Sequence, residues 1–373
     1  MKICFYAPFK PLGHPQPSGD LSTASGIVEF FKARGHAVVP ASSLRCRWIY
    51  WKPWRWPRLL WERRRLARRF AAGGFDLWFS YHSYYKAPDV LGPFTAARMG
   101  VPFVLFQGIF STKRRRDWKT LPGFHLNRKT LLAARQVFTN KKVDLRNLRR
   151  LLPEERISYV APGLHPVDFT FDRGARERLR RAWKTGDEPV VLAVAMFRPG
   201  VKTEGLSWVI RACGELRRRG QRFRVVIVGD GRERPRLASL ARAELPDRAL
   251  FAGQVDRREL YRYYSAADLF VFPGIQESLG MVYLEAQSCG LPAVAFENAG
   301  VPEAIQDGST GLLVPMHDGP RFVEAIERLL QDGELRRRMG ENAKTYVREF
   351  HDLNRNYRAM ESVLQKVVGN VLQ

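Results

Sequence analysis

Residues 273–295 of the chain read PGIQESLGMVYLEAQSCGLPAVA and contain the end of one strand, a helix and the start of another strand. The apolar run 269–272 comes directly before this segment. From Glu277 onward apolar residues recur at helical spacing, which predicts a helix that begins at Glu277 and ends at Gly290. Because a strand, a helix and a strand in this order are the repeating unit of a parallel sheet, the segment predicts an α/β fold.

Two carboxylates in this segment, Glu277 and Glu285, have seven residues between them. Eight helical steps of about 1.5 Å would place their backbones about 12 Å apart and turn them by only about 80°, so that both line one groove. The helix N-terminus between them, where Gly280 gives close backbone access, offers free N–H groups and a positive dipole end to an anion. A nucleotide sugar, with hydroxyls at each end and phosphates in the middle, matches that spacing. The simpler alternative is that Glu277 caps the helix and Glu285 faces solvent.

The run QESLGMVYLEAQSCGLPAVA resembles the E-x7-E signature of the retaining GT-B glycosyltransferases, the large glycosyltransferase family 4. This resemblance implies that Glu277 acts on the donor sugar as a catalytic residue, and that Glu285 holds the ribose hydroxyls of a nucleotide-sugar donor. The residues that would bind the donor phosphates are Ser278, Leu279, Gly280 and Met281. The resemblance also implies that no metal and no other cofactor is needed, because the helix N-terminus and basic side chains neutralise the leaving diphosphate.

Two basic residues follow the strand predicted over 190–196, at the sheet edge where ligands of such folds bind. Members of the family place an Arg and, further along, a Lys on the donor diphosphate at this point. Arg198 fits the first position, whereas the second falls on Glu204 and Lys202 comes two residues earlier. Either the loop bends so that Lys202 reaches the diphosphate, or the charge comes from another residue. Arg198 and Lys202 are therefore the predicted catalytic cations.

The resemblance assigns three further residues to the donor, and the fold pattern adds a fourth. Gln254 and Val255 correspond to the loop that holds the nucleotide base, chiefly through backbone groups. Gly19 lies in the loop after the first predicted strand, where doubly wound folds bring a ligand close to the backbone; the alternative is that it is merely a turn glycine. Gln107 stands in a predicted loop where family members often carry a His; its amide can hydrogen-bond a sugar hydroxyl but cannot carry a charge. Two histidines elsewhere are alternatives for that role, His82 and His125.

The chain of 373 residues is long enough for two domains of ordinary size, and its strand–helix alternation starts twice. The segment APGLHPVDF, residues 161–169, has two prolines and little periodicity, which predicts a linker. We predict an α/β fold of the GT-B type, with two facing Rossmann-like domains and a C-terminal helical tail. The predicted parts are an acceptor domain at 1–162, a nucleotide-sugar donor domain at 163–350, and a tail at 351–373 that packs back on the first domain.

The net charge of +25 and the pI near 10.4 predict attraction to anionic lipid headgroups, nucleic acid or polyanionic substrates, and composition leaves these alternatives open. Four widely separated cysteines have no metal-ligand spacing, which is typical of thiols in a reducing compartment. No apolar run approaches the roughly 18 residues that span a bilayer, and the N-terminus does not have the pattern of a signal peptide. These features predict a cytoplasmic protein, and they do not indicate an oligomeric state.

Residues 45–69 carry ten Arg or Lys and five of the nine tryptophans of the chain. The five are Trp48, Trp51, Trp54, Trp56 and Trp61. Tryptophan among cations suits the interface of an anionic membrane, which predicts a peripheral protein on the inner face of the cell membrane with a lipid-linked acceptor. A platform for single-stranded nucleic acid and a solvated basic helix with core tryptophans are the alternatives. A second basic cluster, residues 113–116, is either a solvated turn or a clamp for an acceptor phosphate.

Other chemistries fit the sequence less well. The Gly-Asp-Gly run 229–231 follows a strand, but Arg234 stands where a dinucleotide fingerprint needs its last glycine. Glycoside hydrolysis needs two carboxyls about 5 to 10 Å apart, closer than the predicted helix places Glu277 and Glu285. We predict a retaining transferase that moves a sugar from a nucleotide sugar to a glycan or lipid-linked acceptor of the cell-surface polysaccharide or lipopolysaccharide type. The rival hypotheses are a non-catalytic protein that binds nucleic acid or another polyanion, and a sugar-phosphate isomerase on the same fold; no specific nucleic-acid partner is expected.

Overall fold

The computed structural model describes residues 1–14, 19–69 and 74–370. The chain divides into two compact units, Met1–Pro162 with Asn354–Gln373, and Gly163–Leu353. Each unit is built on one six-stranded sheet whose neighbouring strands run parallel. Two parallel α/β units and a helical C-terminal segment confirm the predicted fold class. The end of the predicted tail, residues 371–373, lies outside the described residues.

The first unit contains six short strands and the helices that connect them. Its strands are β1 (Lys2–Tyr6), β2 (Ala37–Pro40), β3 (Leu77–Ser83), β4 (Phe103–Gly108), β5 (Gln136–Thr139) and β6 (Ile157–Tyr159). Its helices are α1 (Gly19–Ala33), α2 (Trp56–Arg69), α3 (Gly92–Met99), α4 (Leu121–Ala133), α5 (Lys142–Leu148) and, from the end of the chain, α14 (Leu353–Gly369). The sheet order is β2-β1-β3-β4-β5-β6. β3 and β4 are buried along their whole length, as expected for central strands with helices on both faces.

The second unit repeats this architecture with six strands and eight α-helices in its described residues. Its strands are β7 (Val190–Val194), β8 (Arg224–Val228), β9 (Ala249–Gly253), β10 (Leu269–Val271), β11 (Ala293–Glu297) and β12 (Gly311–Pro315). Its helices are α6 (Arg173–Trp183), α7 (Val201–Arg218), α8 (Arg234–Glu244), α9 (Leu260–Ala266), α10 (Met281–Ser288), α11 (Val301–Ala304), α12 (Gly319–Gln331) and α13 (Gly333–Phe350). The sheet order is β12-β11-β10-β7-β8-β9. β7 and β10 lie at its centre and are wholly buried.

Each sheet has a point at which the strand order reverses, between β1 and β3 in the first unit and between β7 and β10 in the second. The connections that leave two such neighbouring strands turn to opposite faces of the sheet and open a crevice at the carboxyl ends, where ligands of these folds bind. The loops that follow β7 and β10 contain the candidate residues from Arg198 to Lys202 and from Glu277 to Met281. The fold therefore brings two distant parts of the sequence to one edge.

The prediction that a helix begins at Glu277 is wrong, because α10 begins at Met281. Three residues before it have left-handed backbone conformations: Gly274 with φ 75°, Gln276 with φ 56° and Gly280 with φ 81°. A right-handed helix cannot continue through such residues, so the chain from 274 to 280 is an irregular turn. The separation of about 12 Å expected from a helical path between Glu277 and Glu285 therefore does not apply.

Two more candidate residues lie in regular structure where loops were predicted. β4 extends to Gly108, so that Gln107 is part of a strand. α7 begins at Val201, which places Lys202 in its first turn and not in the loop before it. Both differences are at the carboxyl edge of a sheet, where the hydrophobic pattern that predicts elements gives way to polar residues.

Helix α14 packs within the first unit. The ring of Tyr357 meets the ring of Phe30 edge-on, with their centroids 5.4 Å apart. The buried Glu361 carboxylate accepts a hydrogen bond from Arg34 at 3.1 Å and lies 2.6 Å from His36 Nε2. An apolar contact and a buried charged contact thus attach the last described helix to α1 and the residues that follow it.

Candidate functional site

The best-formed candidate site of the second unit lies at the carboxyl edge of its sheet, next to the reversal of strand order between β7 and β10. Gly200 precedes α7 and Gly280 precedes α10, and both have positive φ angles, 94° and 81°. Two helices thus begin at this edge, one from each of the neighbouring central strands. Their free N–H groups and dipoles make the edge electropositive.

A direct contact joins these two helix starts. The Lys202 ammonium in the first turn of α7 contacts the Glu277 carboxylate, and each side chain is only 17% exposed. The ammonium also lies 5.2 Å from the centre of the Phe272 ring. Burial lowers the pKa of Lys202 to about 8, and the charge of Arg198 acts in the same direction. The carboxylate in contact opposes this lowering, because it stabilises the charged amine.

Arg198 lies beside this pair in the exposed loop between β7 and α7. The Thr203 hydroxyl donates to the Arg198 carbonyl at 2.7 Å and fixes the turn into α7. No carboxylate in the described part of the chain pairs with the Arg198 guanidinium, which therefore faces solvent as a free cation. The Gly-Asp-Gly turn at 229–231 packs closely against the start of this loop. A Cβ atom on Gly229 would lie 1.8 Å from the Ala195 carbonyl oxygen, so only glycine fits there.

The irregular turn before α10 leaves a row of backbone amides without acceptors. In the described residues no carbonyl or side chain accepts from the N–H groups of four consecutive residues, Ser278, Leu279, Gly280 and Met281. A side chain at position 280 would lie 2.5 Å from the ring of Tyr283, so the close approach and the positive φ both require glycine there. Free amides at a helix start, next to Arg198 and Lys202, form a site for an anion.

Glu285 is not the solvated residue of the simpler alternative. It is 3% exposed, and its two oxygens accept hydrogen bonds from Arg257 Nε at 3.0 Å and from the Tyr264 hydroxyl at 3.0 Å. The Arg257 side chain is 61% exposed, whereas Tyr264 is fully buried, so Glu285 has one exposed and one buried hydrogen-bond partner. Each carboxylate oxygen has a second lone pair, and a ligand hydroxyl can still donate to it.

Gln254 and Val255 follow β9 at the same edge of the sheet. Gln254 is exposed and Val255 is half-buried. The Gly253 carbonyl before them accepts from the Gly229 N–H at 2.8 Å, which holds this loop against the one after β8. The loop leads into Arg257, the residue that bonds Glu285, so the two candidates at 254 and 255 are connected to the α10 carboxylate through a short stretch of chain.

Gly19 and Gln107 lie in the first unit, at the carboxyl edge of its own sheet. Gly19 is the first residue of α1, and the carboxylate of the next residue, Asp20, lies 3.3 Å from His82 Nδ1 at the end of β3. Gln107 is buried on the neighbouring strand, and its Oε1 accepts no hydrogen bond from the described residues. His82 and Gln107 both have positive φ angles, 62° and 58°, and non-glycine residues with this backbone conformation cluster at functional sites.

Several residues of these sites gave no signal in the sequence. Arg257 and Tyr264 have no motif spacing to Glu285, Phe272 looks like any core residue of β10, and Asp20 is an ordinary helix-start residue. His82 was only an alternative, because one histidine in an apolar strand is usually a core residue. No group of three His, Cys, Asp or Glu side chains that could hold a metal ion occurs in residues 1–14, 19–69 and 74–370.

Comparison of the chain with known proteins identifies its family. The family model described as glycosyl transferases group 1 matches residues 175–346, which include all candidate residues of the second unit. The D-inositol 3-phosphate glycosyltransferase of Frankia alni is 30% identical over 289 residues, covering 73% of this chain and 69% of that protein. The GDP-mannose-dependent alpha-(1-6)-phosphatidylinositol monomannoside mannosyltransferase of Mycolicibacterium smegmatis is 34% identical over 199 residues, covering 50% of each chain. The chain thus spans only about half the length of this and another curated relative that it matches.

The fold is also found among solved structures. The Anabaena protein HepE, in its complex with UDP, superposes with a TM-score of 0.72 at 17% identity, over 98% of this chain and 100% of that one. At this identity the likeness concerns the fold alone, and it confirms the predicted GT-B fold class.

The anion site leads to a first testable prediction. Arg198→Gln should weaken the binding of inorganic pyrophosphate about tenfold or more, because one charged hydrogen bond contributes about 1.5–3 kcal/mol. Arg211→Gln is the matched control, since it removes an exposed arginine further along α7. Isothermal titration calorimetry measures both affinities, and equal values for the two variants would show that Arg198 does not contribute to the anion site.

Proposed function

Because the chain belongs to the group 1 glycosyl transferases, we propose that it transfers a sugar from a nucleotide-sugar donor to a glycan or lipid-linked acceptor, with retention of configuration at the anomeric carbon. The observation that carries this proposal is the anion site at the edge of the second sheet. There the Lys202–Glu277 contact joins two helix starts beside a row of free amides. A diphosphate between a sugar and a nucleoside is the anion that such a site, flanked by two carboxylates, would select.

The donor diphosphate is proposed to lie against the free amides of residues 278–281, with Arg198 and Lys202 on its oxygens. Glu277 is proposed to accept hydrogen bonds from hydroxyls of the donor sugar. The helix starts and the two cations stabilise the negative charge that develops on the leaving diphosphate, so that the proposed reaction needs no bound metal. The Lys202–Glu277 pair is in contact before the donor binds, and such preorganisation lowers the barrier to the reaction.

In the proposed reaction the bond from the anomeric carbon to the diphosphate oxygen breaks, and the acceptor oxygen attacks the same face of the sugar. The departing phosphate oxygen takes the proton of the acceptor hydroxyl. The products are the glycosylated acceptor and a protonated nucleoside diphosphate, so that atoms and charge balance. No protein base is required on the attacking face, which fits a site whose nearest carboxylate, Glu277, is already in contact with Lys202.

The nucleoside is proposed to lie across Gln254 and Val255, with its ribose hydroxyls on Glu285. Glu285 already accepts from Arg257 and Tyr264, which fix its orientation. A ribose hydroxyl would use a free lone pair of the carboxylate or take the place of the exposed Arg257 side chain. Gly19 and Gln107 are proposed as further donor-binding residues, and the unpaired Gln107 Oε1 can accept a hydrogen bond from a sugar hydroxyl.

The acceptor is proposed to carry a lipid or a phosphate. Two relatives have names that contain an acceptor of this kind: a D-inositol 3-phosphate glycosyltransferase and a phosphatidylinositol monomannoside mannosyltransferase. In the described residues no helix is long and apolar enough to cross a membrane. A lipid-linked acceptor would therefore be reached by docking of the first unit on the membrane surface.

The exposure of the tryptophans supports such docking and opposes the alternative in which they form a core. Four of the five tryptophans between residues 45 and 69 are exposed, and Trp54 reaches 70%. Trp118, which follows the basic cluster at 113–116, is 68% exposed, and its ring meets that of Trp51 at 5.8 Å. Trp51 Nε1 also donates to the Lys119 carbonyl at 2.8 Å. The two basic segments thus form one surface, on which indoles and cations suit an anionic interface.

The role of Glu277 leads to a second prediction. Glu277→Gln should lower sugar transfer on the order of 100-fold, as expected when one group that stabilises the transition state is removed. The same change should leave the affinity for the nucleoside diphosphate equal or higher, because Lys202 loses its carboxylate partner and becomes free for the anion. A thermal-shift panel of nucleotide sugars first identifies the donor. Release of nucleoside diphosphate in the presence of a membrane lipid extract then measures transfer.

The control for this prediction is Glu297→Gln, which changes an exposed carboxylate at the end of β11. It should retain both transfer and affinity. If Glu277→Gln kept full transfer, or if no nucleotide sugar stabilised the wild-type protein, the proposed function would be wrong.

The docking surface leads to a third prediction. Substitution of Trp54 and Trp118 by Ser should abolish flotation with anionic vesicles, because the indoles provide the interfacial part of the attraction that salt does not screen. Phe350→Ser is the control, since it removes an exposed aromatic ring from the second unit. Equal flotation of the tryptophan variant, or binding of the wild-type protein to nucleic acid but not to anionic vesicles, would contradict docking.

A further inference from the structure

A groove of about 460 Å³ lies between α2 and α3 of the first unit. It is lined by Leu60, Arg63, Arg64, Ala67, Arg68, Phe94 and Arg98. The α2 residues fall on one side of that helix, and Phe94 and Arg98 lie one turn apart on α3. Two of the apolar side chains are open to solvent, Leu60 with 51% and Phe94 with 45% of its surface. The groove thus has an apolar floor and an arginine rim.

The rim carries four positive charges and no negative one. Arg64, Arg68 and Arg98 are exposed, and none pairs with a carboxylate in the part of the chain that the structure describes. Like charges this close repel one another, and an anion between them would remove that repulsion.

Arg63 has a different role from the other three. Its Nη2 donates to the Val90 carbonyl at 2.8 Å, and its guanidinium lies over the Phe94 ring, 5.2 Å from the centroid. These contacts connect α2 to the start of α3 and fix the width of the groove. They also cover one face of Phe94, so that the exposed remainder of this ring and Leu60 form the apolar surface open to a ligand.

We propose that this groove binds one anionic phospholipid, with its phosphate on Arg64, Arg68 and Arg98 and its glycerol and upper acyl chains on Leu60 and Phe94. A free phosphate would leave the apolar floor uncovered. A nucleic-acid base would need an open aromatic face, and Arg63 occupies one face of Phe94. The exposed Trp56 and Trp61 on α2 place the groove beside the surface proposed to dock on the membrane.

This inference rests on the proposed docking for its setting, but it makes a different claim. Docking by scattered cations and indoles is a property of the whole surface and does not saturate at one lipid per protein. A groove with a phosphate site and an apolar floor binds a single lipid molecule, even when no membrane is present. The two claims can therefore be tested separately.

The test uses short-chain lipids below the concentration at which they form micelles. Native mass spectrometry and calorimetry should detect one dihexanoyl phosphatidylglycerol per protein. Glycerol 3-phosphate, which lacks the acyl chains, and dihexanoyl phosphatidylcholine, which lacks the net charge, should each bind on the order of tenfold more weakly, because each loses one of the two contributions. Equal binding of glycerol 3-phosphate would reduce the groove to a simple anion site and overturn the proposal.

A matched pair of charge variants assigns the binding to the groove. Arg64→Gln with Arg98→Gln should weaken phosphatidylglycerol binding by about tenfold or more, since two charged contacts are lost. Arg128→Gln with Lys129→Gln removes the same charge from the exposed face of α4 and should not change it. Equal loss in both variants, or displacement of the lipid by a single-stranded oligonucleotide of equal charge, would contradict the proposal.

Vesicle flotation separates this inference from the proposed docking. If the wild-type protein binds monomeric phosphatidylglycerol but does not float with vesicles, the groove stands and docking is wrong. If it floats but binds no monomeric lipid, docking stands and the groove proposal is wrong. The thermal unfolding of the two charge variants should match that of the wild-type protein, because Arg64, Arg98, Arg128 and Lys129 are all exposed.

Discussion

The contact between the Lys202 ammonium and the Glu277 carboxylate holds together the candidate site of the second unit. One charge lies in the first turn of α7 and the other in the turn before α10, so that each helix start is positioned against the other. Because both side chains are mostly buried, removal of either would leave a poorly solvated charge behind. The pair also presents a cation that an anion can share and a carboxylate that sugar hydroxyls can approach. Position and chemistry are thus provided by the same two residues.

The backbone conformation before α10 provides the other half of the anion site, the free amides. The left-handed conformations at Gly274, Gln276 and Gly280 prevent a helix from forming before Met281, and in the described structure the N–H groups of residues 278–281 remain free. Had the helix begun at Glu277, the N–H groups of Gly280 and Met281 would have been used in helical hydrogen bonds. An irregular backbone thus replaces a turn of helix and leaves N–H groups free to bind an anion. Strained backbone segments occur often at functional sites for this kind of reason. At the edge of the first sheet, His82 and Gln107 have the same left-handed backbone.

Much of the architecture could be predicted from the sequence. The strand, glycine and helix pattern around residues 273–295 identified the fold class, because buried parallel strands have a strong hydrophobic signal. The start of α10 at Met281 could not be predicted, since the apolar periodicity of the sequence continues back through the turn before it. Glu285 was expected at a surface groove but is buried, because its partners Arg257 and Tyr264 come from another loop and a helix that only the fold brings near. Tertiary contacts of this kind leave no spacing in the sequence.

The central claim is that a donor diphosphate binds the free amides before α10. Hydrogen–deuterium exchange of the peptide that contains residues 278–281 tests it most directly, with and without the nucleotide sugar that stabilises the protein. These amides have no acceptor in the described structure and should exchange quickly in the free protein. Binding of the donor should slow their exchange, and Arg198→Gln should reduce that protection. Unchanged exchange at a donor concentration that saturates the protein would contradict the account.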